Sequence, residues 1–143
     1  MPQDPAAIKY LEQVNAQVRA VATAAHQTLV DEGCTSYVKT IYIGYEIGSE
    51  MVAALYAYED HVEVALALPE DQEGALLIDA SHLTWRTLPV AANLKSEGDL
   101  EAFVQLAKLA CDRVRTQQHH VMRDNEFFTR SRRERNAKDA KPS

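Results

Sequence analysis

Tyr37-Val38-Lys39-Thr40-Ile41-Tyr42-Ile43-Gly44-Tyr45 is where the chain changes period. Before it, apolar residues recur every three or four positions. Within it, β-branched and aromatic side chains alternate, with Ile41, Ile43 and Tyr45 on one side and Val38, Thr40 and Tyr42 on the other. A step of two is the repeat of a strand, and a step of three to four is that of a helix. Residues 37–45 therefore read as one strand that separates a helical start from a sheet.

Towards the N-terminus, Ile8, Leu11, Val14, Val18, Val21, Ala25 and Leu29 form one apolar stripe, as expected of a single long amphipathic helix. Asp4 is placed to cap it, Pro5 fits its first position and Gly33 its C-terminal stop. Towards the C-terminus, Gly48-Ser49 breaks the first strand. Residues 51–58 and 62–68 then flank the short turn Glu59-Asp60-His61, as in a hairpin. In the second arm Val62, Val64, Leu66 and Leu68 share one face, and Glu63, Ala65 and Ala67 the other. That other face must be either solvated or covered by something that tolerates small side chains.

Residues 75–78 read as a short strand and residues 83–92 as another, placed at an edge or bulged because Pro89 has no N–H to donate. Ser96-Glu97-Gly98-Asp99 is a Ser-x-x-Asp capping box. It opens a helix with the stripe Leu100, Phe103, Val104, Ala107, Cys111 and Val114, and Arg113 and Arg115 suit its C-terminal dipole. No helix interrupts the strand series, so the sheet should be mostly antiparallel. The expected fold class is α+β: an N-terminal helix, about five strands, a C-terminal helix and a flexible tail. Residues 1–118 form one domain, and residues 119–143 a polar, basic, flexible or weakly helical extension.

Charge is segregated along the chain. From Thr40 to Trp85 there is no Lys or Arg but nine acidic residues, whereas residues 123–143 carry +3 and the rest −9, within a total of −6. Four tyrosines, Tyr42, Tyr45, Tyr56 and Tyr58, fall in the strands, where an aromatic sheet can stack bases. Nucleic-acid platforms also need a cationic groove, and these strands are acidic. Half-buried sheet tyrosines are the simpler reading. Only Arg130, Arg132, Arg133 and Arg135 in the tail remain for weak phosphate contact.

Other chemistry leaves little trace. No nucleophile elbow or phosphate-cradling glycine loop is present, and the paired carboxylates Glu59-Asp60 and Glu70-Asp71 fall in turns. His119-His120 point about 100° apart on a helix. Asp79 and His82 have no further ligand residues at metal-site spacing. Cys34 and Cys111 belong to no CxxC pattern and read as free buried thiols. Catalytic residues, a metal and a cofactor are accordingly not expected. Met1-Pro2-Gln3-Asp4-Pro5 has no signal-peptide pattern, and the apolar runs fall short of the ~20 residues of a membrane span. The expected location is the cytoplasm.

Trp85, the lone tryptophan, is followed by Arg86. The pair reads as a Trp that plugs the sheet–helix core or covers its rim with the Arg stem packed alongside, or as an aromatic face beside a guanidinium that would hold a planar anion. Trp85, Arg86 and His82, with Tyr42 and Tyr56, are the candidate ligand-binding residues.

Leu83-Thr84-Trp85-Arg86-Thr87-Leu88-Pro89-Val90, then Leu94-Lys95-Ser96-Glu97-Gly98-Asp99-Leu100 leading to Ala110 and Arg113, resembles the closing part of a bacterial family of unassigned function. Tyr42-Ile43-Gly44-Tyr45 is similar to that family's opening strand, and the match spans about residues 4–115. In size, acidity and element order the chain also resembles YjbR-like proteins and the small acidic chaperones of type III secretion. That likeness implies helices flanking a curved sheet that dimerises or wraps a client segment. The functional expectation is a non-enzymatic interaction module, a homodimer, binding a protein segment or small ligand through its sheet. The rival is a metabolite sensor or small enzyme with a pocket at Trp85, Arg86 and His82.

Overall fold

A computed structural model describes residues 5–83 and 85–135, with side chains through residue 117. The cap at Asp4, the pair His119-His120 and the arginine side chains of the tail lie outside the described residues. The order is α1 (Pro5–Glu12), α2 (Ala16–Asp31), β1 (Thr35–Val38), β2 (Ile43–Ile47), β3 (Glu50–Ala57), β4 (Val62–Leu66), β5 (Leu77–Asp79), β6 (Val90–Leu94) and α3 (Leu100–Arg135). The fold is α+β, with six strands rather than five.

The first helix of the sequence reading is two helices. Asn15 opens α2 by accepting from the Gln17 N–H at 2.9 Å. An Asn side chain that takes up a free amide lets a new helix start there. The apolar stripe continues across the break because Leu11, Val14 and Val18 are all buried, which is why periodicity alone joined the two. Ile8 is 41% exposed and outside the core. The C-terminus of α2 is as expected. Gly33, at φ 104°, donates to the Val30 carbonyl while Cys34 donates to Leu29, which satisfies the last carbonyls of the helix.

The strand expected over residues 37–45 is a hairpin. β1 and β2 pair antiparallel from Thr35↔Glu46 to Val38↔Ile43, and Lys39 N–H donates to Tyr42 O at 2.9 Å as the chain turns through Thr40-Ile41. Neither residue is a turn former, so no local signal marked the reversal. Ile41 stands at the tip, 65% exposed, and not among the buried residues of the strand. Gly48-Ser49 closes the β2–β3 hairpin, with Gly48 at φ 65°, and the β3–β4 hairpin forms over residues 58–61 as read from the sequence.

The strand order is β1-β2-β3-β4-β6-β5 with every pair antiparallel. The segment expected as a strand over residues 83–92 is a 3-10 turn at Ser81–Leu83, a loop, and only then β6. β6 is not an edge strand, since β4 and β5 flank it. Pro89 lies just outside β6 and uses its carbonyl to accept from Ala80, so its missing donor interrupts no ladder.

The two faces of the sheet have different covers. Tyr45, Ile43, Leu55, Val64 and Leu94 are fully buried on the face of α2 and α3, and Phe103 on α3 is fully buried too. Tyr45 is tied to α2 by a 2.8 Å hydrogen bond between its hydroxyl and His26 Nδ1, so neither buried polar group is orphaned. Tyr56 and Glu63 are register partners on the opposite face. Residues 80–83 and 85–89 fold over that face, carrying Trp85 to Tyr56 and His82 to Glu63. This loop covers part of the face left open in the sequence reading. The same face carries the fully buried alanines Ala54, Ala65 and Ala91.

The capping box stands as expected, with the Asp99 carboxylate accepting from Ser96 and Lys95 N–H. Arg113 and Arg115 do not serve the end of their own helix, which runs on to Arg135. Arg113 donates to Ala67 O at 3.1 Å. Arg115 donates to Glu32 O, at the C-terminus of α2. The carbonyl that Arg115 stabilises belongs to the C-terminus of a neighbouring helix, α2.

Candidate functional site

Alternation along β3 places Tyr56 on the helix-free face, and Tyr58 follows it at the hairpin. The β1–β2 turn sets Tyr42 beside them, since Tyr37 pairs with Gly44 and Tyr42 lies two residues before Gly44 on the same side. Tyr42 and Tyr56 ring centres are 5.3 Å apart, and Tyr42 meets Trp85 edge-on at 5.5 Å and 83°. Trp85 Nε1–H donates to Tyr56 Oη at 2.9 Å. The rings are thus fixed to one another from three separate segments. Such edge-to-face pairs add roughly 0.5–1.5 kcal/mol beyond area burial.

Together with Ile41, Ala57, Tyr58, His82 and Leu83, these rings line an open groove of about 820 Å³. A volume of that order lies in the range of small-ligand clefts, as does a mostly aromatic wall with a few polar groups. Burial raises the Tyr56 hydroxyl above its usual pKa against the lowering effect of the Trp85 hydrogen bond. Burial and the Glu63 carboxylate raise that of Tyr58. At neutral pH both hydroxyls are therefore protonated and able to donate or accept.

Behind the groove lies Glu63, 8% exposed. Its Oε1 is 2.7 Å from His82 Nε2 and its Oε2 is 3.1 Å from His61 Nε2, while His61 Nδ1 contacts Asp60 Oδ1 at 2.8 Å. His61 also stacks on Tyr58 at 4.7 Å. Burial works against a charge on His61, but its hydrogen bonds to Asp60 and Glu63 outweigh this and raise its pKa. A buried carboxylate held from two sides fixes His82 on the wall, and with it the loop that bears Trp85.

Four of the five candidate residues converge: Tyr42, Tyr56, His82 and Trp85 line one groove. Arg86 does not. It is exposed and absent from the lining, so the expected Trp–Arg clamp on a planar anion is not formed. Trp85 does not plug the space between sheet and helices; it is partly buried and packs against the core from the other face. Asp79 is spent on Ser81, accepting from its N–H and Oγ, and shares nothing with His82. Among the described residues no three His, Cys, Asp or Glu side chains are disposed to hold a metal ion, and no helix is long and apolar enough to cross a membrane. Glu63 and His61 were missed. The one available signal was a Glu placed on a strand face otherwise made of alanines.

Comparison with protein families, curated proteins and solved structures finds no match to this chain.

Proposed function

We propose that the chain is a binding module that takes its ligand in the aromatic groove on the helix-free face of the sheet. The observation that carries this reading is the convergence of Tyr42, Tyr56, Tyr58 and Trp85 on one open cleft. Tyr and Trp give large contact areas with little entropy lost, and they dominate binding hot spots. The ligand presents an apolar or aromatic group to the rings and a hydrogen-bonding group to the tyrosine hydroxyls or His82. A small molecule or the anchoring side chain of a protein segment meets that description. Ile41 at the rim, 65% exposed next to Tyr58 at 36%, favours an occupant that extends beyond the cleft, a second copy of the chain among them.

Trp85 is the only tryptophan, so its emission reports the groove directly. In a screen of metabolites and peptides, a ligand should shift that emission, and Tyr58→Ala should weaken its affinity about tenfold or more. Arg86→Ala should change it little. Light scattering across protein concentration, run alongside, separates a second copy from a foreign ligand. A ligand that binds equally well to wild type, Tyr58→Ala and Trp85→Leu would show that the groove is not the site.

A further inference from the structure

Away from the groove, the helix layer holds two thiols in contact. Cys34 follows Gly33 in the turn that ends α2 and immediately precedes β1, and Cys111 lies on α3. Their sulfurs are 3.6 Å apart, 77 residues separate them in sequence, and they are 7% and 0% exposed. Packing does not require two thiols to meet. Two apolar side chains would fill the same space, and the rest of this core is built from them.

We infer that Cys34 and Cys111 form a reversible redox pair that closes to a disulfide and covalently joins the α2–β1 junction to α3. A disulfide needs sulfurs at about 2.05 Å, so closure requires the two sulfurs to approach by about 1.5 Å. The Cys34 hydrogen bond and the Arg115 guanidinium lower the Cys111 pKa, against burial, while the same hydrogen bond and burial raise that of Cys34. The two thiols share one hydrogen bond in which either sulfur can donate, and the accepting sulfur, relieved of its proton, is the form that reacts.

With a hydroperoxide as oxidant, one thiolate attacks the O–O bond and becomes a sulfenic acid, and water or an alcohol leaves. The second sulfur then attacks the first, an S–S bond forms, and the sulfenic oxygen departs as water. Two electrons pass from the thiols to the peroxide, and the two thiol protons end in the released products. The resolving sulfur is already at contact distance, so the sulfenic acid is short-lived. An external dithiol reverses the reaction by exchange.

Arg115 already ties the two elements without a covalent bond, through Glu32 O and through Glu32 Oε1 at 3.8 Å. Closing a loop of this length should stabilise the fold substantially.

The test uses the full chain treated with hydrogen peroxide. The expected result is an intact mass lower by two hydrogens, with both thiols lost to titration after unfolding and recovered with dithiothreitol. The thermal midpoint should rise by about 5–15 °C over the reduced protein. Cys34→Ala and Cys111→Ala should each remove the rise. Oxygen addition without loss of hydrogen, disulfide-linked dimers, or a cross-linked monomer that melts no higher than the reduced one would each overturn the inference. The wild-type mass measurement needs no variant to fold.

Discussion

Gly44 is a residue whose identity is set by its neighbour. A Cβ built there would lie 2.3 Å from Tyr37 Cζ. The Tyr37 ring cannot swing away freely, because its hydroxyl contacts Met51 Sδ at 3.2 Å and its ring meets Tyr42 edge-on. The tight fit also pushes the Tyr37 hydroxyl up to about 12, through burial first and contact with Tyr42 second. Gly44→Ala should therefore destabilise the protein by about 1–3 kcal/mol in urea unfolding. Combining it with Tyr37→Leu should give less than the sum of the two effects, since the clash is then gone. His61 supplies the pH dependence. Its folded pKa is above the unfolded value of about 6.5, so its stabilisation is full below that value and lost as pH rises through the folded one. Its partner Asp60 is shifted down, chiefly by its hydrogen bond to His61, so the Asp60 share fades as acid protonates that carboxylate. The stability difference between wild type and His61→Gln should be largest on the mildly acidic side of neutrality and shrink towards pH 8 and beyond. Urea midpoints across pH check this, and a proton NMR titration of His61 should show a midpoint above that of a free histidine. A difference that grows with rising pH would contradict the pairing.

At the scale of elements, Asn15 separates α1 from α2 with a single side-chain hydrogen bond. Asn15→Ala should cost about 1 kcal/mol, read as a lower urea midpoint with an unchanged slope, whereas Asn15→Asp should retain most of the stability. The same residue shows what was legible in the sequence. Ends with chemistry of their own were readable: Gly33 stopping α2, Gly48-Ser49 turning the β2–β3 hairpin, and Ser96 with Asp99 opening the C-terminal helical region. The break at Asn15 was not, because the buried stripe runs through it. Nor was the β1–β2 turn, where Thr40-Ile41 looks like strand and reverses only because β2 then pairs back on β1. The edge position assigned from Pro89 failed for a related reason. A proline limits its own donor, and here it stands one residue before the ladder begins.

For the whole molecule, the sequence carried the fold class, and four of its five candidate residues line the groove, but it did not show the face on which they meet. That choice rests on long-range contacts, in which His82 reaches Glu63 and Trp85 reaches Tyr56 across the sheet, and no local pattern encodes it. The strand order has a temporal consequence. β1 to β4 lie in space as they lie in the chain, so each hairpin can close on its predecessor as soon as it is synthesised, and contacts this local favour rapid folding. α2 is made before the sheet, yet its partner α3 is made after it. On the ribosome, the apolar face bearing Ile43, Leu55 and Val64 therefore waits half covered until α3 emerges. Apolar surface left uncovered in a nascent chain favours aggregation.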